Sequence, residues 1–309
     1  MGLARQPAWV FLTALLAVLG GCAGRSAQPL PAGRGPVPPG TFLDSSGGRL
    51  APRAVAARLR NAAYILLGEE HPNACDHRAQ AAIVRELIRS GVRPVIGLEM
   101  VPADRQGILD AFHRGALAVD DLPRALDWGK TWGFDFRLYA PLFEAAREAG
   151  LPVFAVNVPT GLARKVGHQG LAALSPDERA SLPGAILPPD PAQVEALRDI
   201  FARHAAWLPQ GHTPAARAGR DPFAAFLTVQ SLWDTQMAAR ARYARALFGR
   251  PVVIVAGAGH VEHGYGIARR LAVLDPGARV LAVMPWRDAG RPDPALADFF
   301  AYCPAGRHE

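Results

Sequence analysis

Apolar residues along this chain fall into two patterns. Short, largely apolar runs occur at Ala63–Leu67, Pro94–Leu98, Val153–Val156, Pro251–Ala256 and Arg279–Val283. Such runs are too brief for helices and show no polar face, so they predict strands buried on both sides in a parallel sheet. Between them, apolar positions recur every third or fourth residue. Asp76–Ser90 carries Ala79, Ala82, Ile83 and Leu87 at that spacing, with Gly91 placed to stop the helix. Leu142–Ala149, stopped by Gly150, and His263–Leu274 read the same way. Roughly a hundred residues between the third and fourth runs contain no strand pattern. There Leu162–Val166, Pro176–Ser181, Pro191–Trp207 and Pro222–Phe248 are predicted helical. Strands alternating with helices give an α/β fold with a mostly parallel β-sheet flanked by helices. The helical insertion, about 160–248, is expected as a subdomain on one sheet edge.

The N-terminus follows a different logic. Trp9–Leu19 is an apolar stretch of 11 residues behind Arg5. It is too short to span a ~30 Å hydrocarbon core, which needs about 20 residues, and it reads as the hydrophobic part of a secretory signal. Leu19-Gly20-Gly21-Cys22 follows and resembles a bacterial lipobox, in which small residues fit the peptidase cleft and the cysteine thiol takes the lipid. Residues 1–21 are therefore expected to be removed and Cys22 to carry the anchor in the bilayer. Ala23, rather than Asp, follows the cysteine, so no inner-membrane retention signal is evident. The expected location is the bacterial cell envelope, anchored in the outer membrane and facing the periplasm. Residues 22–40, rich in proline and glycine, read as a tether. The folded domain is expected over 41–290, followed by a C-terminal tail over 291–309.

Composition narrows the classes. Half of the 309 residues are hydrophobic and 20% charged, which excludes a disordered chain. The 34 basic residues against 27 acidic ones give +7, but only Lys130 and Lys165 are lysines and the arginines form no block. Nucleic-acid binding is not expected from such a distribution. Three cysteines exclude a disulfide-dense scaffold, and no Cys-x-x-Cys-His is present for covalent haem attachment. Cys75 and Cys303 could pair in an oxidising compartment or stay free.

In open parallel sheets the ligand crevice lies beyond the carboxyl ends of the strands. The first run ends in Gly68-Glu69-Glu70-His71, the second in Leu98-Glu99, and the fourth in Gly257-Ala258-Gly259-His260. Glu69, His71, Glu99 and His260 are thus delivered to one rim, with His77 and Gln80 starting the next helix. Carboxylates beside imidazoles can hold a divalent metal or act as general acid and base; equally, they can form a structural polar network. The apolar stripe Phe226, Val229, Leu232, Trp233 and Met237 reads as a core face.

Several stretches together resemble the ChaN-like haem-binding lipoproteins of the superfamily that includes Tiki, TraB and erythromycin esterase proteins. They are LLGEEHPNACDHRAQ (66–80), GLEM (97–100), WGFDFRLYAPLFEAAREAGLPVFAVNVP (132–159), VQSLWDTQMA (229–238) and GAGHVEHGYGIARRL (257–271). The sequence departs from the family pattern at Pro72 and Ala268. The resemblance implies ferric haem binding in iron acquisition, with Tyr139 as the axial ligand, His204 near the phenolate and Trp132 in the haem pocket. It also implies a homodimer that stacks two haems face to face, and an outer-membrane haem receptor as transport partner. The alternative that the same superfamily allows is a metal-dependent hydrolase or protease built on Glu69, His71, Glu99 and His260.

Overall fold

The computed structural model describes residues 37–205, 219–288 and 290–305, except the side chains of 203–205. Eight strands make one sheet in the order β2-β1-β8-β7-β3-β6-β4-β5. They are β1 (Thr41–Asp44), β2 (Arg49–Leu50), β3 (Tyr64–Glu69), β4 (Val95–Pro102), β5 (Val153–Asn157), β6 (Val252–Gly257), β7 (Val280–Trp286) and β8 (Phe299–Tyr302). From β8 to β5 every pairing is parallel, whereas β1 runs antiparallel to both β2 and β8.

Side-chain alternation along the strands divides the core into two layers. Ile65, Leu67, Ile96, Leu98, Val253 and Val255 face one side. That side is covered by α1 (Pro52–Leu59), α2 (Ala74–Arg89), α3 (Gln106–His113) and α6 (Ala140–Ala149). Two single-turn helices, α4 (Leu122–Ala125) and α5 (Trp128–Thr131), join the same layer through Leu122 and Trp128. Tyr64, Leu66, Val252, Ile254 and Ala256 face the other side.

The insertion forms α7 (Leu162–Gln169), α8 (Pro176–Ala180), α9 (Pro191–Ala205) and the 27-residue α10 (Pro222–Phe248). It does not stand apart as an edge subdomain. Met237, Ala238, Ala241 and Ala244 of α10 lie in the sheet's second core layer, beside Ile267 and Leu271 of α11 (Ile267–Leu274). Small alanines at helical spacing let α10 lie close over the strands. Only its N-terminal half, with Leu232, belongs to a smaller cluster made with Val158, Leu162 and Val166. No helix among the described residues is long and apolar enough to cross a membrane.

The segment expected as a C-terminal tail contains β8, which fills the place between β1 and β7. Phe299 and Phe300 are buried there, and Cys303 just beyond forms a disulfide with Cys75 at the start of α2. The open choice between paired and free cysteines is thereby settled as a bridge between residues 228 apart in sequence.

Candidate functional site

Three parallel strands bring their carboxyl ends together at the point where the chain order reverses. β6 sits between β3 and β4, although it follows both in sequence. Glu69 ends β3, and Gly257 ends β6 beside it in register. Glu99 lies inside β4, which runs on to Pro102 rather than stopping at residue 98, and the β4–β5 register shifts between Leu98 and Pro102. The Asn157 side chain donates to the Glu99 carbonyl at 2.7 Å across that irregularity.

The site has two halves. In the first, Glu69 is the hub. Its Oε1 lies 2.8 Å from His71 Nδ1 and accepts the Tyr139 hydroxyl at 2.8 Å. Its Oε2 accepts the Gln80 amide at 3.0 Å and lies 3.4 Å from His77 Nδ1. His77 Nε2 meets the His71 carbonyl oxygen at 2.9 Å, so it carries the hydrogen. The α2 N-terminus is fixed by Asn73, whose side chain accepts from the backbone N–H groups of Cys75 and Asp76. That cap sets the helical phase that points His77 and Gln80 at Glu69.

In the second half, Glu99 Oε2 accepts the Gly257 N–H at 2.6 Å, and its Oε1 lies 3.5 Å from His260 Nε2. His260 Nδ1 is 2.6 Å from Asp234 Oδ1. Gln193 donates to Asp234 Oδ2 at 3.0 Å, and Arg270 lies 3.7 Å from the same oxygen. Gly257 joins the halves: a Cβ there would come within 2.9 Å of the His71 ring, so only glycine lets the imidazole approach the strand.

The carboxylates, imidazoles and phenol of both halves are buried. Burial pushes the Glu69 carboxyl up, but His77, His71 and Gln80 outweigh it and hold it below its ordinary range. Burial disfavours the His71 cation, yet the Glu69 and Glu99 carboxylates prevail and raise it. His260 is raised further, to about 9, because Glu99 and Asp234 overcome its desolvation. Burial, then the Glu69 charge, push the Tyr139 phenol far above its ordinary value.

The structure thus brings Glu69 and His71 into contact, and Glu99 and His260 close together, at one strand-end rim. Tyr139 lies in the first half, beside Glu69. Its side chain is 0% exposed, and its oxygen is occupied on both sides, donating to Glu69 and accepting from Trp132 Nε1 at 2.9 Å. Trp132 is likewise a core side chain, packed edge-on against His71 at 4.7 Å between ring centres. His204 falls at the end of α9, where its side chain lies outside the described residues. Cys22 lies outside them too. Among the described residues, no three or more His, Cys, Asp or Glu side chains are arranged to hold a metal ion.

Asp234, Arg270 and Gln193 join the site without having been singled out from sequence. They come from three helices far apart in the chain, and only the charge of Asp234 inside the apolar stripe 226–237 offered a signal. Among the described residues His71 Nε2 has no hydrogen-bond partner, and its ring is oriented by Glu69 at Nδ1 and by packing on Trp132 and Phe134.

A model of the family described as haem-binding uptake, Tiki superfamily, ChaN matches residues 55–271. The chain belongs to that family. Among solved structures, ChaN of Campylobacter jejuni with cofacial haem superposes with a TM-score of 0.64 at 19% identity, covering 84% of this chain and 95% of that one. A mutant of the erythromycin esterase EreC in its open conformation is more distant: TM-score 0.44, 16% identity, covering 76% of this chain and 73% of its own. The type III effector HopBA1 gives 0.44 at 13% identity, covering 83% and 94% respectively. No curated protein matches the chain.

Proposed function

We propose that this chain is a lipid-anchored haem-binding protein of the bacterial cell envelope that takes up ferric haem for iron acquisition. The family match over residues 55–271 carries the reading. The buried Cys75–Cys303 disulfide supports an oxidising compartment outside the cytosol. The lipobox-like Leu19–Cys22 supports an anchor in the outer membrane, facing the periplasm. On this reading haem is cargo, two chains pair around it, and an outer-membrane haem receptor is the partner that supplies it. Tyr139 is the axial ligand on this reading, and ligation has the phenol leave Glu69 and Trp132 and give up its proton as it meets the iron. The test is an absorbance titration of the purified chain with haemin. A saturable shift of the Soret band is expected; a spectrum that stays that of free haemin throughout would refute haem binding.

One observation favours a second reading. The Glu69–His71 pair holds an imidazole with its Nε2 unpartnered, which is the geometry of a general base. A hydrolase of the Tiki type would use it with Glu99 and His260. Metal content of chelator-free protein, with peptidase and esterase assays of the wild type and His71→Ala, separates the readings: turnover lost in the variant would make the chain an enzyme.

A further inference from the structure

The end of the sheet opposite the buried site is lined by arginines. Arg279, Arg60, Arg250 and Arg93 stand shortly before the starts of β7, β3, β6 and β4. Those four strands are neighbours in the sheet, about 4.8 Å apart. The arginines therefore form a row across its amino end, away from the rim that carries Glu69, Glu99 and His260. Backbone bonds fix the row. The Arg279 carbonyl accepts from the N–H groups of Ala63 and Tyr64 at 2.8 and 3.2 Å, and the Ala63 carbonyl accepts from Val252 at 3.0 Å.

α10 and α11 end at the same level, where they lead into β6 and β7. Asp275 Oδ2, just past α11, ties them together: it lies 3.1 Å from Arg245 of α10 and accepts the Tyr64 hydroxyl at 2.6 Å. The outward side of these last turns is not an ordinary solvated face. Tyr243 and Leu247, four residues apart and so on one stripe of α10, are 55% and 56% exposed, and Val273 of α11 is 59% exposed. These three are the exposed large apolar side chains among the described residues. Arg240 lies over the Phe154 ring at 4.4 Å and 5.8 Å from the Tyr243 ring centre.

The charge at this end is largely uncompensated. Arg60, Arg242, Arg250 and Arg279 have no carboxylate partner among the described residues. Of the nearby carboxylates, Asp275 is engaged by Arg245 and Glu86 by Arg89 at 2.5 Å, which leaves Glu148. Cations at helix C-termini complement the helix dipole. That accounts for arginines here, but not for the exposed Tyr243, Leu247 and Val273 among them.

We propose that the amino end of the sheet, with the last turns of α10 and α11, is the face that lies against an anionic phospholipid surface. The proposal rests on the cell-envelope reading and says which end of the body meets the membrane. Guanidinium groups pair with phosphate in two-point hydrogen bonds. Each arginine near an anionic leaflet strengthens binding about fivefold, and apolar side chains among the cations suit the boundary between headgroups and acyl chains. Leu247 and Val273 have no role against a nucleic acid, which takes phosphate contacts and aromatic stacking. The described chain starts at Val37, at the rim end, since the Gly40 N–H donates to the Tyr302 carbonyl at 2.7 Å. About 15 residues separate Val37 from Cys22, a reach of up to roughly 50 Å, against about 20 Å for a six-residue strand. An anchor at Cys22 thus leaves the arginine end free to meet the bilayer. The rim of the buried site then points into the aqueous space from which a ligand arrives.

The experiment places a fluorophore on the full chain at Leu247→Cys or, as the rim-end control, at Gly107→Cys, with the unsubstituted chain treated alongside as the blank. Gly107 is exposed at the start of α3, which follows the carboxyl end of β4, and a Cβ there meets nothing within 4 Å. Each protein is added to vesicles of phosphatidylcholine alone or mixed with phosphatidylglycerol, both carrying brominated acyl chains as quencher. Quenching at position 247 should be at least fivefold greater in the anionic vesicles than in the neutral ones, while position 107 stays bright. Arg242→Gln with Arg279→Gln should return the 247 signal to its level in neutral vesicles. Equal quenching at both positions, or an unquenched 247 fluorophore on chain held by anionic vesicles, would overturn the face and leave the anchor standing. Chain that binds only anionic vesicles, is quenched at 247 and is released by about 0.5 M salt would uphold the face and contradict the anchor. Chain that binds neither vesicle would overturn both. A 247 fluorophore that responds to a single-stranded oligonucleotide and not to vesicles would overturn the proposal in favour of nucleic acid.

Discussion

At the scale of single residues, the buried site is a chain of charge compensation, and each link has a measurable consequence. Tyr139→Phe keeps the ring but removes a donor to Glu69 and the acceptor for Trp132 Nε1. Leaving buried polar groups unpaired costs about 1–3 kcal/mol, so an unfolding free energy lower by that amount, read from a lower urea midpoint, is expected; an unchanged midpoint would mean the hydrogen bonds are not made. His260 gives a pH signature. Its folded pKa of about 9 lies above the ordinary 6.5, so its contribution is complete below about pH 6.5 and is lost as the pH rises through 9. A shift of this size corresponds to roughly 3 kcal/mol. Between pH 6 and 9.5 the wild type should lose stability relative to His260→Gln, whose own profile should be flatter; parallel profiles would contradict a charged imidazolium between Glu99 and Asp234.

At the scale of elements, the sheet interior was far more legible in the sequence than its edges. β3, β4, β5, β6 and β7 are announced by unbroken apolar runs, because strands covered on both faces need them. β1, β2 and β8 have two to four residues each, too short to stand out in the sequence even where, as in Phe299–Tyr302, all are apolar, and their place depends on contacts far apart in the chain. The disulfide is the clearest such contact. It joins the cap of α2, which carries His77 and Gln80, to the end of β8, where Arg287 also binds both Asp76 and the Cys303 carbonyl. Removing a native disulfide costs about 2–5 kcal/mol. The double variant Cys75→Ala, Cys303→Ala should lose that much by denaturant unfolding, with faster amide exchange in β8 and β1 than in β3 or β6. Uniform exchange across the sheet would contradict a bridge acting at that edge. The other edge is closed by side chains: Gln106 accepts the Ala155 N–H at 2.8 Å and Arg240 donates to the Ala155 carbonyl at 3.0 Å. Such coverage keeps an edge strand from pairing with another chain.

At the scale of the whole molecule, the strand-end rule placed the carboxylates and histidines at one rim, but the surroundings of each group could not be read from the sequence. Tyr139 shows why. A motif gives a residue's identity, whereas its use as a ligand depends on exposure and partners, which here come from Glu69 and Trp132 at other points of the chain. His263 reads as the start of a helix, yet the chain makes two short 3-10 turns before α11, with His263 inside the second. The anchor is tested at this scale too. Cys22→Ser should leave the chain in the soluble fraction or unprocessed; unchanged membrane fractionation with the same mature mass would contradict lipidation.

The central claim, a membrane-anchored carrier of ferric haem, is tested most directly by the haem content of the full chain recovered from membranes of cells supplied with haem. Haem in a constant ratio to chain, detected as the pyridine haemochrome and lost on removal of the protein, is the result expected. Folded, membrane-bound protein free of haem under those conditions would contradict it.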